Sequence, residues 1–167
     1  GNVGKLVARY GKCFGMEVYA YDPFITDNSV YEKDGVKAVG SVEELYSKCD
    51  YVSVHIPATE QTKKSINHAL LSKMPKGATV VNTARKEVID EEGLAMVLSE
   101  REDLKYATDI AADMQLVLNE KFGNRVFATP KKMGAETSEA NINAALAAAN
   151  QIVEFFKNGD TRFQVNK

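Results

Sequence analysis

At 167 residues the chain is long enough for one domain with a real hydrophobic core. Hydrophobic residues make up 44%, charged residues 26%, and a net charge of -2 gives no basic field to draw nucleic acid or an anionic membrane. No apolar run approaches the roughly 18 residues a membrane-spanning helix needs, and Cys13, Cys49, His55 and His68 share no metal-ligand spacing, so no metal is expected and both thiols are expected reduced and partly buried, as in the cytoplasm.

Residues 3–14 read as a helix, with Val3, Leu6, Val7, Tyr10 and Phe14 at helical spacing and Gly15 as its stop. The run VYAYD follows as a short strand ending at Asp22, closed by Pro23. Residues 24–35 read as loop or broken turns, and 36–39 as a short strand. Ser41-x-x-Glu44 is a capping-box pattern ahead of a helix to about Lys48. Strand 51–56 ends at Pro57, and residues 66–74 read as a helix built on Ile66, Leu70, Leu71 and Met74. Strand 78–84 precedes a helix that Asp90 can cap, with Leu94, Val97 and Leu98 on its inner face. Strand 105–110 leads into an irregular stretch, strand 125–130 is the last, and a long helix covers about 138–157.

Strands alternate with helices and lack clean polar alternation, the pattern of a parallel sheet covered on both faces. The fold class is therefore α/β. Asp22, His55, Arg85, Asp109 and Lys131 each fall at or just past the carboxyl end of a strand, where ligands gather in such sheets. Residues 1–157 form one domain in this reading, and 158–167 are an exit segment.

Gly1 and Gly4 match the second and third glycines of the dinucleotide fingerprint G-x-G-x-x-G, with Asn2 and Val3 between them. The pair alone is also what a helix-start glycine and a small packing residue would give. Asp22 adds weight, because it ends the next strand about 20 residues on, where an acid accepts the adenosine ribose hydroxyls of NAD and repels the 2′-phosphate of NADP. As a bare strand-end cap it would need no ligand. A Rossmann-type sheet is expected to have a further central strand, with the first glycine, ahead of Gly1.

The stretches GNVGKLVARYGKCFGMEVYAYDP, VSVHIPATEQTK, LLSKMPKGATVVNTARKEVIDEEGL, ATDIAAD, VFATPKKMG and NGDTRFQVN together resemble the D-2-isomer-specific 2-hydroxyacid dehydrogenase family over nearly the whole chain. The resemblance implies a Rossmann-type NAD-binding domain beside a separate substrate domain, commonly in a homodimer. It implies catalytic roles for Arg85, Lys131 and Asp109, and a cofactor site drawn from Gly1, Asn2, Val3, Gly4, Asp22, His55, Pro57, Thr62, Thr83, Ala84, Arg85, Asp109, Lys131 and Gly134. The substrate implied is a small hydroxy acid, phosphorylated in the branch that fits best.

This sequence departs from the family pattern at three places. Lys86 stands where glycine usually follows the arginine. Met114 stands where a glutamate usually orients a catalytic histidine, and Lys131 stands for that histidine, as in one subgroup of the family. Arg85 suits a substrate carboxylate, since guanidinium pairs bidentately and keeps its charge. Lys131 suits proton transfer if a neighbouring positive charge and exclusion of water favour its neutral form. It could instead hold a substrate anion as a point charge, with Lys132 as a weaker substitute. Asp113 could shift into the missing glutamate's role, and His68 reads as a helix-start residue. Another family member, such as a hydroxypyruvate or glyoxylate reductase, and a non-catalytic NAD-sensing protein remain the alternatives.

Overall fold

The computed structural model describes residues 1–27, 29–132, 134 and 136–165, and only the backbone of Val30. It divides into two compact units, Gly1–Lys131 and Lys132–Lys167.

In the first unit, helix α1 (Asn2–Cys13) is followed by β1 (Tyr19–Ala20), α2 (Ser29–Glu32), β2 (Lys37–Ala38) and α3 (Val42–Lys48). Then come β3 (Tyr51–Val54), α4 (His68–Leu71), β4 (Thr79–Asn82), α5 (Glu91–Glu100), β5 (Lys105–Thr108), α6 (Gln115–Phe122) and β6 (Val126–Ala128). All pairing is parallel. β1 pairs with β2, and a separate sheet runs β3-β4-β5-β6. No strand among the described residues bridges β1 to β3.

Burial alternates along the strands, so one face of the four-stranded sheet carries Val52, Val54, Val80, Tyr106 and Val126 into the core. Leu70 and Leu71 of α4, Leu94, Val97 and Leu98 of α5, and Leu118 and Phe122 of α6 meet them there. His55 hydrogen-bonds Ser53 at 2.9 Å and shares its face, opposite Val52 and Val54, and α1 approaches His55 through Gly4. Helices thus lie on both faces, as expected.

Local signals hold in most places. The Ser41 hydroxyl accepts from Glu44 N at 3.1 Å, while the Glu44 carboxylate reaches back to Gly40 N at 2.8 Å, one residue earlier than in a standard capping box. Asn67 caps α4 through Leu70 N.

Four expectations are corrected. Asp90 occupies the N-cap of α5 but makes no capping hydrogen bond. The helix expected over 66–74 is regular only over His68–Leu71. The stretch after strand 105–110, expected irregular, contains α6. Cys13 is exposed rather than partly buried, while Cys49 is half-buried.

Outside the strands, Arg101 ties several segments together. It pairs with Asp103 at 2.6 Å and donates to the carbonyls of Met74 and Pro75, while Asp103 also accepts from Gly77 N at 2.7 Å.

The second unit consists of helix α7 (Ser138–Asn158), capped by the Thr137 hydroxyl on Ala140 N and closed by Gly159 at φ 65°. Asp160 and Arg162 form a two-pronged ion pair after it. No helix among the described residues is long and apolar enough to cross a membrane.

Candidate functional site

The register of the four-stranded sheet aligns Val54, Asn82, Thr108 and Ala128 in one row. The next residues, His55, Thr83, Asp109 and Thr129, form a rim along the carboxyl edge, and the chain beyond β4 and β6 carries Arg85 and Lys131 at matching offsets. The topology thus places four of the five expected rim residues along one sheet edge, and Asp22 lies at the end of β1.

The start of α1 is the second component. Gly1 stands at the N-cap of this helix, with Gly4 one turn on. Gly4 faces His55, whose ring would lie 3.6 Å from an added Cβ. That is ordinary contact distance, so a side-chain Cβ would fit there, and the packing on His55 does not itself demand a glycine. Burial, as the largest cause, lowers the His55 pKa and favours the neutral ring.

Asp22 divides its carboxylate between two tasks. Oδ1 accepts from Phe24 N at 3.0 Å, closing the turn after β1. Oδ2 lies 3.7 Å from the Gly1 nitrogen, at the head of α1. The structural reading and the ligand reading of Asp22 thus apply to different oxygens. Beside it, the Tyr31 hydroxyl is buried with no hydrogen-bond partner among the described residues, and burial followed by the Asp22 charge raises its pKa. An orphaned hydroxyl next to a carboxylate fits a sugar-bearing ligand, because hydroxyls there would satisfy both groups. Sequence reading missed Tyr31, because the segment around it has no periodic signal.

The remaining expected residues sit as follows. Thr62 spends its hydroxyl inside its own loop, donating to Pro57 O at 2.5 Å and accepting from Thr59 N at 2.8 Å. Arg85 is exposed, and its Nη1 donates only locally, to Ala84 O at 2.8 Å. Thr83 is exposed and Ala84 packs against the core. Asp109 is half-buried with Oδ1 shut off from solvent. Lys131 is exposed in a bend that the Thr129 hydroxyl braces through Lys131 O. Asn2 and Val3 form the exposed first turn of α1, and Gly134 lies in a turn of the second unit.

Two of the three departures from the family pattern, Lys86 and Met114, meet structurally. Lys86 pairs with Asp113 at 2.5 Å, and the Glu91 carboxylate accepts from the backbone N–H groups of Asp113 and Met114, both at 2.9 Å. Asp113 is thus engaged by Lys86, and Glu91 holds the loop in which Met114 replaces the expected glutamate. Glu91 lies in the first turn of α5, where its charge also meets the helix dipole. Among the described residues, no group of His, Cys, Asp and Glu is arranged to hold a metal ion.

Comparison with known proteins follows the same lines. The sequence profile of the D-isomer specific 2-hydroxyacid dehydrogenase NAD-binding domain matches residues 1–132. Over its full length the chain superposes on a cofactor (NAD+)-bound 3-phosphoglycerate dehydrogenase of Entamoeba histolytica, with TM-score 0.86 and 49% identity, covering 52% of that chain. A holo D-mandelate dehydrogenase of Rhodotorula graminis matches with TM-score 0.78 and 27% identity, over 93% of this chain and 45% of that one. The D-3-phosphoglycerate dehydrogenase of Haemophilus influenzae is 33% identical over 99% of this chain and 41% of its own length. The chain therefore spans less than half of that curated relative and about half of the Entamoeba structure.

Proposed function

The chain belongs to the D-isomer specific 2-hydroxyacid dehydrogenases, in their NAD-binding domain, and from that membership we propose that the protein carrying it reversibly oxidises D-3-phosphoglycerate to 3-phosphohydroxypyruvate with NAD, the first step of serine biosynthesis. The observation that carries this reading is the full-length likeness to the NAD+-bound Entamoeba enzyme at 49% identity. The rim geometry supports it.

When bound, NAD would supply the acceptor for the hydride of the substrate's C2. The chain's own residues divide the rest of the work. Asp22 Oδ2, with Tyr31 beside it, receives the adenosine ribose hydroxyls, and the amides opening α1 receive the pyrophosphate. At the other end of the rim, Arg85 holds the substrate carboxylate in a two-pronged pair and draws charge toward the developing carbonyl oxygen. Lys131, in neutral form, takes the proton of the C2 hydroxyl as hydride leaves, and returns it in the reverse reaction. Asp109 lies between them on the rim and orients the nicotinamide side.

The test uses the intact protein, following NADH consumption with 3-phosphohydroxypyruvate, hydroxypyruvate and glyoxylate. The proposal predicts the highest kcat/KM with the phosphorylated acid. A preference for hydroxypyruvate would favour a second reading, supported by the 39% identity over 94 residues to a Thermotoga maritima hydroxypyruvate reductase. No turnover with any of the three would remove the catalytic assignment.

A further inference from the structure

Among the described residues, the core holds two buried polar side chains, Asn82 and Thr108, and both end strands beneath the rim. Asn82 has no solvent exposure at all. A buried amide is costly unless its donors and acceptor are used, and here all are. Oδ1 accepts from Ala84 N at 3.0 Å, and Nδ2 donates to Arg85 O at 2.9 Å and to the Tyr106 hydroxyl at 3.3 Å. The Thr108 hydroxyl donates to Asn82 O at 2.7 Å, and accepts from Ile110 N at 3.1 Å across the turn that contains Asp109.

These bonds grip the backbone on both sides of the turn leaving β4. Arg85 itself is exposed, and among the described residues its guanidinium hydrogen-bonds the preceding carbonyl, so the backbone sets its aim. We propose that Asn82 is a positioning residue for the reaction: its buried amide fixes the 84–85 peptides so that Arg85 projects from the rim toward the substrate carboxylate. This rests on the dehydrogenase reading above. Thr108 performs the parallel service for the Asp109 turn.

Asn82→Asp keeps the shape and the acceptor for Ala84 N, but sets a carboxylate oxygen against Arg85 O. Burial raises the pKa of the introduced carboxyl, and its protonated form regains the lost donor. In the intact protein at about pH 8, the variant is expected to show KM for the hydroxy acid raised about tenfold or more, the scale of one lost buried contact, with NADH affinity within about twofold. The deficit should shrink as pH falls toward about 6. Asn82→Ser removes the donor without adding a titrating group, so it should raise KM equally with no recovery at low pH. It also serves if the Asp variant folds poorly. Tyr106→Phe keeps the Arg85 bond, and should lower Tm while leaving KM unchanged.

A parent protein that turns over substrate, with Asn82→Ser leaving KM and kcat within about twofold, would overturn this proposal alone. So would a Tyr106→Phe variant with the same KM change. A parent that binds NADH yet turns over no 2-hydroxy acid would overturn the dehydrogenase reading and this proposal together.

Discussion

Asp22 Oδ2 stands 3.7 Å from the Gly1 nitrogen, which brings the end of β1 and the head of α1 onto one spot. The carboxylate's other oxygen is held by Phe24 N, so the turn fixes the group's orientation. A carboxylate fixed in this way next to a helix start is the arrangement that accepts vicinal sugar hydroxyls below a pyrophosphate.

At the reactive end of the rim, Lys131→Met should abolish turnover in the intact protein while leaving NADH affinity nearly unchanged, because methionine keeps the bulk and removes the proton acceptor. The check pairs steady-state kinetics with NADH fluorescence titration. Turnover within about tenfold of the parent would exclude the proton-transfer role, which general acid–base catalysis sets at about 10² to 10⁴-fold.

Arg85→Lys should raise KM for the hydroxy acid and lower kcat, since an ammonium cannot reproduce the two parallel bonds of a guanidinium to a carboxylate. Among the described residues the Arg85 side chain hydrogen-bonds Ala84 O and is exposed, so Tm should move little. A large fall in Tm with unchanged KM would assign Arg85 to stability instead.

Gly93 is where α5 passes closest to α4. A Cβ there would lie 2.5 Å from Asp90 Oδ2 and 2.8 Å from the His68 backbone nitrogen. The backbone atom cannot swing aside as a side chain can, so Gly93→Ala should destabilise the domain by about 1–3 kcal/mol, a typical cost of overpacking. Thermal unfolding should register this as a Tm lower by several degrees, and an unchanged Tm would show that the helices separate freely.

The Arg101 guanidinium, followed by Gly77 N, holds the Asp103 carboxyl well below the ordinary carboxylate range. A carboxyl whose pKa falls on folding adds stability above the unfolded value of about 3.9, and that stability drains away as pH drops toward the folded value. Stability measured from about pH 5 downward should therefore fall less steeply in Asp103→Asn than in the parent. Identical slopes would remove the pair from the acid response.

The sequence made most of this legible because the signals were local. Parallel strands announced themselves as short apolar runs closed by Pro57 or Asp22, and the strand ends then defined the rim. What stayed hidden was set by tertiary contact. Helix α6 has weak periodicity and is held by burial of Leu118 and Phe122. The Glu91 clamp on Asp113 and Met114 joins positions far apart in the chain, and Glu91 at a helix start reads equally well as a dipole charge. Asn82 shows no outward sign of its role, since only its burial and its bonds to Ala84 and Arg85 mark it. Val3, Leu6, Tyr10 and Phe14 recur at helical spacing in α1 and are exposed, and periodicity alone does not say what covers a helix.

The most direct measurement is a calorimetric titration of NADH and NADPH into the intact protein and its Asp22→Ala variant. The parent should bind NADH more tightly than NADPH, and the variant should lose about tenfold or more in NADH affinity, the scale of charged hydrogen bonds to the ribose, with little preference left between the two. Equal NADH affinity in parent and variant, or no heat of NADH binding to the parent, would contradict the placement of the dinucleotide on this rim.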